Sequence, residues 1–412
     1  MHRWLLLILA ACGGGDDAAM LDGGGSPDAP GSGNVVVRVA GSGAPAAGVT
    51  VIVDTQTLVT DASGVASAAI TQPALVTVID PPGFVDHVYD DAEHRFTFAA
   101  VSPGDEIDVA FGTAPPPAQP ITMSVIANAY PDAEEYDVIT SCGGQTLAGP
   151  TGTWTASRAC TGPMDVLAEV TLDGEIGATL WAGTVTPVDG GTIDLRSQVW
   201  QPLAPRSYRA VGTGDWLPQP LLFVAGGRGG YSGGGGTIHD GGTDAIPMPV
   251  APDANNAVSI SYQTGGYIDH SVFAWGIGDP YTFDATDAPL SDLANPMYDA
   301  TSCSWSPGAG AAPEGVRAVW AGPAAGADLA WYWIGPPPAD GHITLPALPA
   351  PHDFGLDAVE GWTLYEANGM GGLGNFRAIS AEDSSLQDGT VLGSAAVGEA
   401  QIESVGNGFA VP

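Results

Sequence analysis

Glycine and proline recur so often in this chain that few stretches of ten residues escape them. The 412 residues include 59 glycines and 35 prolines, which disfavour a helix interior by about 1 and about 3 kcal/mol per position. Between them lie short alternating runs rich in Val, Ile, Thr and aromatics, such as NVVVRVA, VTVIVDT, HRFTFAAV and LAWYWIG. Short strands at regular spacing, separated by turn residues, are typical of β-sandwiches. The sequence therefore predicts an all-β fold of two to three serial β-sandwich domains.

Shifts in composition suggest where these domains begin and end. A proline-rich connector, APPPAQP at 114–120, separates a first region, 34–113, from a second region, 121–205. The third β-rich region, 206–412, is less regular, and its segment GGRGGYSGGGGTIHDGGTD contains too much glycine for a strand. In the second region, Asp173-Gly174 and Asp189-Gly190 predict hairpin turns.

The first region carries a recognisable local pattern. Its opening strand, the segment GAPAAGVTVIV and the hairpin TDASGVASAAI at Thr60–Ile70 resemble the carboxypeptidase-regulatory-like domain, a transthyretin-like β-sandwich. The resemblance implies an accessory module without catalytic residues. Within the hairpin, Gly64 is expected at a turn position with positive φ, and Asp61 is expected to cap that turn with its carboxylate.

The N-terminus reads as a targeting segment. His2 and Arg3 precede an apolar stretch that is too short to span a bilayer. Leu9-Ala10-Ala11-Cys12 then resembles the lipobox of bacterial lipoproteins, which implies a signal peptide at 1–11 and acylation of Cys12. The alternative is an ordinary signal with a chance cysteine. Residues 12–33 would then form a flexible Gly/Asp/Pro tether. In such lipoproteins a residue other than Asp after the acylated cysteine favours delivery to the outer membrane, so Gly13 suggests that location.

The chain is strongly acidic. It has no lysine, ten arginines and 46 acidic residues, giving a formal net charge of −36. Such a charge repels nucleic acids and anionic lipid head groups, so no nucleic-acid partner is expected. It would attract divalent cations, Ca²⁺ in particular, because Ca²⁺ prefers carboxylate and carbonyl oxygens.

Three cysteines follow Cys12 in the chain. Cys142 and Cys160 are the favoured disulfide pair, because an exported protein tolerates disulfides and a loop of this length would contribute about 3 kcal/mol. Cys303 is then the odd cysteine. It could instead pair with either of the other two, or remain a buried thiol.

Two short motifs match catalytic or cofactor patterns. Gly230-Tyr231-Ser232-Gly233-Gly234 fits G-x-S-x-G, for which Ser232 would need a base such as His270, His342 or His352. Gly369–Gly374 fits G-x-G-x-x-G after the strand-like GWTLYEA. No amphipathic helix is predicted after either motif, so a flexible loop and a β-turn are the favoured interpretations.

Several clusters combine side chains that can bind metals. The densest, in VDHVYDDAEHRF, consists of Asp86, His87, Asp90, Asp91, Glu93 and His94. Two lesser ones are Asp132, Glu134, Glu135 and Asp137, and His239, Asp240 and Asp244. None has the HExxH or EF-hand spacing, and a solvated acidic loop is the alternative explanation of each.

Aromatic residues accumulate towards the C-terminus. Alternation in a strand places Trp331 and Trp333 on one face and Tyr332 on the other. An exposed tryptophan pair could stack against a sugar, whereas core packing is the commoner role of such rings.

Together these features predict a lipid-anchored, extracytoplasmic, non-catalytic surface or structural protein of the cell envelope. Its expected partners are the membrane, reached through the lipid, and a polysaccharide or an envelope protein. No cofactor is expected apart from a possible Ca²⁺. The alternative is an envelope hydrolase whose active site lies within 206–412.

Overall fold

The structure is a computed structural model. It describes residues 33–41, 44–80, 93–111, 120–140, 142–156, 163–212, 216–222, 239, 241–252, 256–264, 268–275, 277–284, 294–306, 313–368, 373–380 and 401–410.

Strands dominate the described residues. The first fourteen are β1 Gly33–Gly41, β2 Ala44–Pro45, β3 Thr50–Val53, β4 Gln56–Val59, β5 Val65–Ile70, β6 Ala74–Asp80, β7 Glu93–Val101, β8 Glu106–Phe111, β9 Thr122–Ile126, β10 Glu135–Thr140, β11 Gly143–Leu147, β12 Thr151–Thr155, β13 Met164–Leu172 and β14 Glu175–Val185. They are followed by β15 Thr192–Asp194, β16 Ala204–Val211, β17 Trp216–Leu222, β18 Thr243–Met248, β19 Asn256–Thr264, β20 Ile268–Trp275, β21 Tyr281–Asp284, β22 Ala294–Tyr298, β23 Ser302–Ser306, β24 Gly315–Ala324, β25 Ala327–Gly335, β26 His342–Thr344, β27 Gly361–Asn368, the helix α1 Leu373–Ser380, and β28 Gln401–Ala410. The predicted all-β fold class is confirmed. No helix among the described residues has the length and hydropathy needed to cross a bilayer.

The chain forms two compact units. The first consists of Met1–Ala114, Leu290–Ser384 and Val405–Pro412, and the second of Pro115–Pro289 and Ser385–Ser404. The first unit thus combines residues from 34–113 and from 206–412, which the sequence analysis had assigned to separate domains.

A large sheet organises the first unit, with the strand order β27-β24-β25-β7-β6-β3-β4. Its neighbouring strands are antiparallel except β25 and β7, which run parallel and place Trp331 opposite Arg95. The apolar runs of β7, β24 and β25 are buried at nearly every position, as expected for strands that are covered on both faces.

Different elements cover the two faces of this sheet. On one face, the β22-β23-β26 sheet packs through Trp305, whose indole N–H donates to Glu366 of β27 at 3.0 Å. On the other, Phe376 of α1 lies against Gly315, where an added Cβ would fall 2.1 Å from the ring. The β1-β5 sheet, in which β8 pairs in parallel with β1, completes the unit.

The helix α1 corrects the sequence analysis, which predicted no helix in the segment after Gly369–Gly374. Its sequence, LGNFRAIS, has little helical preference of its own, and its tertiary contacts stabilise it. Besides the packing of Phe376, the Arg377 guanidinium donates to Asp105 at 3.1 Å and to the backbone oxygen of Ala100 at 2.9 Å.

Local turn chemistry in the first unit follows the sequence closely. Gly64 has a φ of 74°. The Asp61 carboxylate accepts hydrogen bonds from the amides of Ser63 at 2.8 Å and Val65 at 3.0 Å. The hydrogen bond from the Ser63 hydroxyl contributes most to lowering the pKa of Asp61, and these two amide bonds lower it further. Both predictions for this hairpin are confirmed.

The second unit contains a β-sandwich. Its β11-β10-β13-β14 sheet faces its β12-β9-β15 sheet across a core that includes Trp154, Val138 and Ile193. The Asp173-Gly174 turn joins β13 to β14 as predicted, with φ of 52° and 78°. The second predicted hairpin was wrong, because β15, which follows Asp189-Gly190, pairs in parallel with β9. The β18-β16-β21 sheet and the three antiparallel strands β17, β19 and β20, paired in that order, also belong to this unit.

Candidate functional site

The densest predicted metal cluster is only partly described. Asp86, His87, Asp90 and Asp91 lie outside the described residues. Glu93 and His94 begin β7, where alternation turns them to opposite faces, so these two do not converge on one ion. Within the described ranges, no group of three or more His, Cys, Asp or Glu side chains is arranged to hold a metal.

Glu93 has a structural partner instead. Its Oε1 accepts a hydrogen bond from Nε of Arg95 at 2.6 Å, and the Arg95 side chain is fully buried. The guanidinium lies 4.2 Å from the ring centroid of Phe354 and 4.9 Å from that of Trp331. It also donates to the backbone oxygen of Phe354 at 2.8 Å. Burial lowers the pKa of Arg95, and Glu93 opposes that effect.

Arg95 was not among the residues predicted from the sequence to be part of a site. The available signal was an arginine within the apolar run HRFTFAAV, two residues after a glutamate. In a strand, that spacing places both side chains on one face, where they can pair.

The tryptophan pair is in the core. Trp331 is 3% and Trp333 8% exposed, and the Trp331 indole N–H donates to the Thr97 hydroxyl at 2.9 Å. Tyr332 points to the opposite face, as predicted, and stacks on Phe96 with ring centroids 4.5 Å apart. Of the two interpretations, core packing is therefore the one observed, and neither indole offers a free face to a sugar.

The catalytic motifs do not assemble in the described residues. Ser232 and Gly369–Gly372 lie outside them, and for His270 only the backbone of β20 is described. The exposed imidazole of His342 is 3.1 Å from the Thr344 hydroxyl. The backbone oxygen of His352 accepts a bond from Arg95 at 3.3 Å. In the third acidic cluster His239 is exposed, Asp244 is half-buried and Asp240 lies outside the description.

The cysteines divide in a similar way. Cys12 and Cys160 lie outside the described residues, so acylation and the Cys142–Cys160 pairing stay predictions. Cys142 is buried in the sandwich core. Cys303 is a buried free thiol, one of the alternatives considered, and burial raises its pKa to about 12.

The second acidic cluster leads to a surface hollow in the second unit. The hollow has a volume of about 550 Å³ and is lined by Tyr130, Pro131 and Asp132 from one loop and by Leu172 and Asp173 from another. Asp132 and Asp173 are both exposed, with φ of 60° and 52°. In the part of the chain that the structure describes, neither carboxylate has a hydrogen-bond or ion-pair partner.

The remaining contacts hold the hollow in shape. The backbone N–H of Tyr130 donates to the hydroxyl of Tyr136 at 2.9 Å, and the Tyr130 ring meets Trp200 edge-on. Glu134 joins the two loops, because its Oε2 accepts a bond from the amide of Gly174 at 3.3 Å. The Tyr130 ring is thus held in place, while no described residue occupies the hydrogen-bonding capacity of the Asp132 and Asp173 carboxylates.

β10 and β13, the strands that adjoin the two loops of the hollow, also carry a pair of carboxyl groups. Asp137 of β10 lies directly opposite Glu169 of β13. The hydroxyl of Thr146 donates to Asp137. Glu169 is buried, and this burial raises its pKa to about 7, with a further contribution from the negative charge of Asp137. The sequence analysis considered Asp137 as a metal ligand and missed Glu169.

Comparisons with known proteins give no family. No family model matches the chain, and no curated protein matches it. Three solved structures show low similarity. The Bacillus anthracis TIE protein is 10% identical with a TM-score of 0.15, over 61% of this chain and 49% of its own. A streptococcal ancillary pilin is 8% identical with a TM-score of 0.17, over 62% and 98%. The pilus adhesin SpaC from Lactobacillus rhamnosus GG is 10% identical with a TM-score of 0.12, over 74% and 43%.

This chain therefore spans about half the length of the first of these proteins. TM-scores of this size establish neither a shared fold nor a shared function.

Proposed function

We propose that this protein is a lipid-anchored, extracytoplasmic, non-catalytic binding protein of the cell envelope, and that the hollow of Tyr130, Pro131, Asp132, Leu172 and Asp173 is its contact surface. The observation that carries the proposal is a pair of exposed carboxylates that have no partner among the described residues and lie beside a fixed aromatic ring. A concave surface with apolar walls and a few convergent polar groups is the ordinary form of a binding site.

The chemistry of the hollow restricts its ligand. Ionised carboxylates only accept hydrogen bonds, so a ligand that bonds them presents donors such as hydroxyl, amide or ammonium groups. The chain has no lysine, and four of its ten arginines, Arg38, Arg95, Arg196 and Arg377, each pair with an internal carboxylate, so these four do not compete for the hollow. A net charge of −36 further favours an approaching cation and disfavours a polyanion. An envelope polysaccharide with amino sugars, or a basic envelope protein, meets these conditions.

Calorimetric titration tests the contact surface. We expect a cationic amino-sugar oligosaccharide or a lysine-rich peptide to bind, and the double substitution Asp132→Asn with Asp173→Asn to weaken binding at least tenfold. Asp328→Asn, an exposed aspartate of β25, removes one charge elsewhere and should leave the affinity nearly unchanged. Equal losses of binding free energy per charge removed would mean that only the overall charge attracts the ligand, and the proposed surface would be abandoned.

The anchor needs a separate test. Growth with a labelled fatty acid should label the wild-type chain and leave Cys12→Ser unlabelled, because the thiol of Cys12 is the proposed site of acylation. An intact Met1 on material recovered from inside the cell would contradict this part of the proposal.

A further inference from the structure

The carboxyl pair formed by Asp137 and Glu169 has an unusual environment. The two residues are direct partners in the β10–β13 ladder, so their side chains leave the same face of the sheet as neighbours. Glu169 is 5% exposed, and its Oε1 has no hydrogen-bond partner among the described residues. A buried ionised carboxylate without a partner is strongly disfavoured.

No described cation offsets the charge of Glu169. Across β14 its partner is Thr179, which is uncharged. Asp165, on the same face of β13, accepts a bond from Thr184 at 2.9 Å and adds a further acid. Leu203, Met248 and Ala251, which pack beside Leu167 on this face, carry no charge. Two acids that face each other in this setting are most stable when one of them keeps its proton.

The position of the pair connects it to the hollow. β10 begins at Glu135, just after the Tyr130–Asp132 loop, and β13 ends at Leu172, which itself lines the hollow. The outermost pair of this ladder is Glu135 with Thr171, and Asp137 with Glu169 lies two pairs further in. Any change in how β10 and β13 pair at this point therefore reaches both loops.

We propose that the Asp137–Glu169 pair is a proton-dependent latch, two ladder pairs along β10 and β13 from the end that adjoins the hollow. With one proton bound, Glu169 is a neutral acid and β10 stays paired with β13. When that proton leaves to solvent, two carboxylates face each other, the strands separate more readily, and the hollow loosens. The latch itself stands on the geometry of the pair, whereas its role in ligand binding rests on the proposed function.

The sign of the effect follows from the raised pKa. Glu169 titrates near 4.5 when exposed and near 7 in the folded chain, so its contribution to stability is complete in acid and is lost as pH rises through about 7. A difference of two to three pKa units corresponds to about a hundredfold or more in the opening equilibrium.

Hydrogen exchange of the full-length protein between pH 5 and pH 9 tests the latch. After correction for the intrinsic pH dependence of exchange, protection of the β10 and β13 amides should fall about a hundredfold in the wild type. Glu169→Gln, which keeps the shape and cannot ionise, should abolish this fall. Glu135→Gln removes an exposed carboxyl of the same strand and should behave like the wild type.

A second substitution distinguishes the effect of the Asp137 charge on Glu169 from the effect of burial alone. Asp137→Asn removes the facing charge, so the fall in protection should persist with its midpoint moved to lower pH. The same pH dependence in Glu169→Gln as in the wild type would overturn the latch, whatever the ligand-binding result. If amide protection in Glu169→Gln did not depend on pH, and neither the wild type nor any variant bound a ligand, the latch would be supported and the proposed function would be contradicted.

Discussion

The ion pair between Glu93 and Arg95 yields the sharpest prediction of stability. Glu93→Gln leaves the buried guanidinium of Arg95 without its counter-charge, and removal of one partner of a buried pair typically destabilises a protein by about 3–5 kcal/mol. The Glu93 side chain is 16% exposed, and Arg95 keeps its bond to the Phe354 oxygen and its contacts with two rings. These remaining interactions place the expected loss near the lower limit, at about 3 kcal/mol.

An exposed pair of the same length provides the control. Arg38 and Glu106 are also 2.6 Å apart, but their side chains are 32% and 58% exposed. Water screens such a pair, so Glu106→Gln should lower the free energy of unfolding by about 1 kcal/mol or less. The contrast between the two variants thus measures the effect of burial with the chemistry held constant.

Arg95→Met completes the comparison. It removes the buried charge while filling most of its volume, so it should destabilise by about 1–2 kcal/mol through the bond lost at the Phe354 oxygen. The double variant with Glu93→Gln should be no less stable than Arg95→Met alone. Urea unfolding followed by tryptophan fluorescence measures the four variants against the wild type. The reasoning would be refuted if Glu93→Gln lowered the free energy of unfolding by less than about 1 kcal/mol, or if Arg95→Met lowered it by more than Glu93→Gln does.

Three further predictions concern backbone space and thiols. Gly64→Ala should lower the free energy of unfolding by about 2 kcal/mol, because the φ of Gly64 is 74° and the added Cβ would lie 2.4 Å from the Val39 oxygen. Gly48→Ala is the control, because Gly48 has a φ of 83° but open space around it, and thermal unfolding should show a loss of only about 1 kcal/mol. Gly315→Ala should displace Phe376 and release α1, seen as faster hydrogen exchange at 373–380; unchanged exchange there would contradict the packing. Cys303 should resist iodoacetamide until urea unfolds the chain, while non-reducing peptide mapping should recover Cys142 joined to Cys160.

The local features were readable from the sequence because their causes are local. Short apolar and aromatic runs between glycines and prolines identified β7 and β25 as strands. An aspartate three residues before a glycine identified the capped turn at Asp61, and an Asp-Gly pair identified the turn between β13 and β14. Each involves only residues that are near neighbours in the chain.

Distant contacts decided the candidate site. The hollow requires the ends of β10 and β13 to meet, and its two acids lie 41 positions apart, at 132 and 173. Glu169 is indistinguishable in sequence from an exposed glutamate, because only the packing of other strands buries it. The bond between Glu93 and Arg95, by contrast, is local, because the two residues are two positions apart on one face of β7.

By itself, the sequence determined the fold class, the position of most strands in the large sheet of the first unit, and the conformation of individual turns. These features depend on the local pattern of apolar residues and on backbone preferences within a few residues. Only the tertiary structure decided that β25 lies beside β7, that Trp331 and Trp333 are in the core, and that Asp137 faces Glu169. Strand pairing over long separations depends on how whole sheets pack, and that free energy is shared among many residues rather than encoded in any one segment.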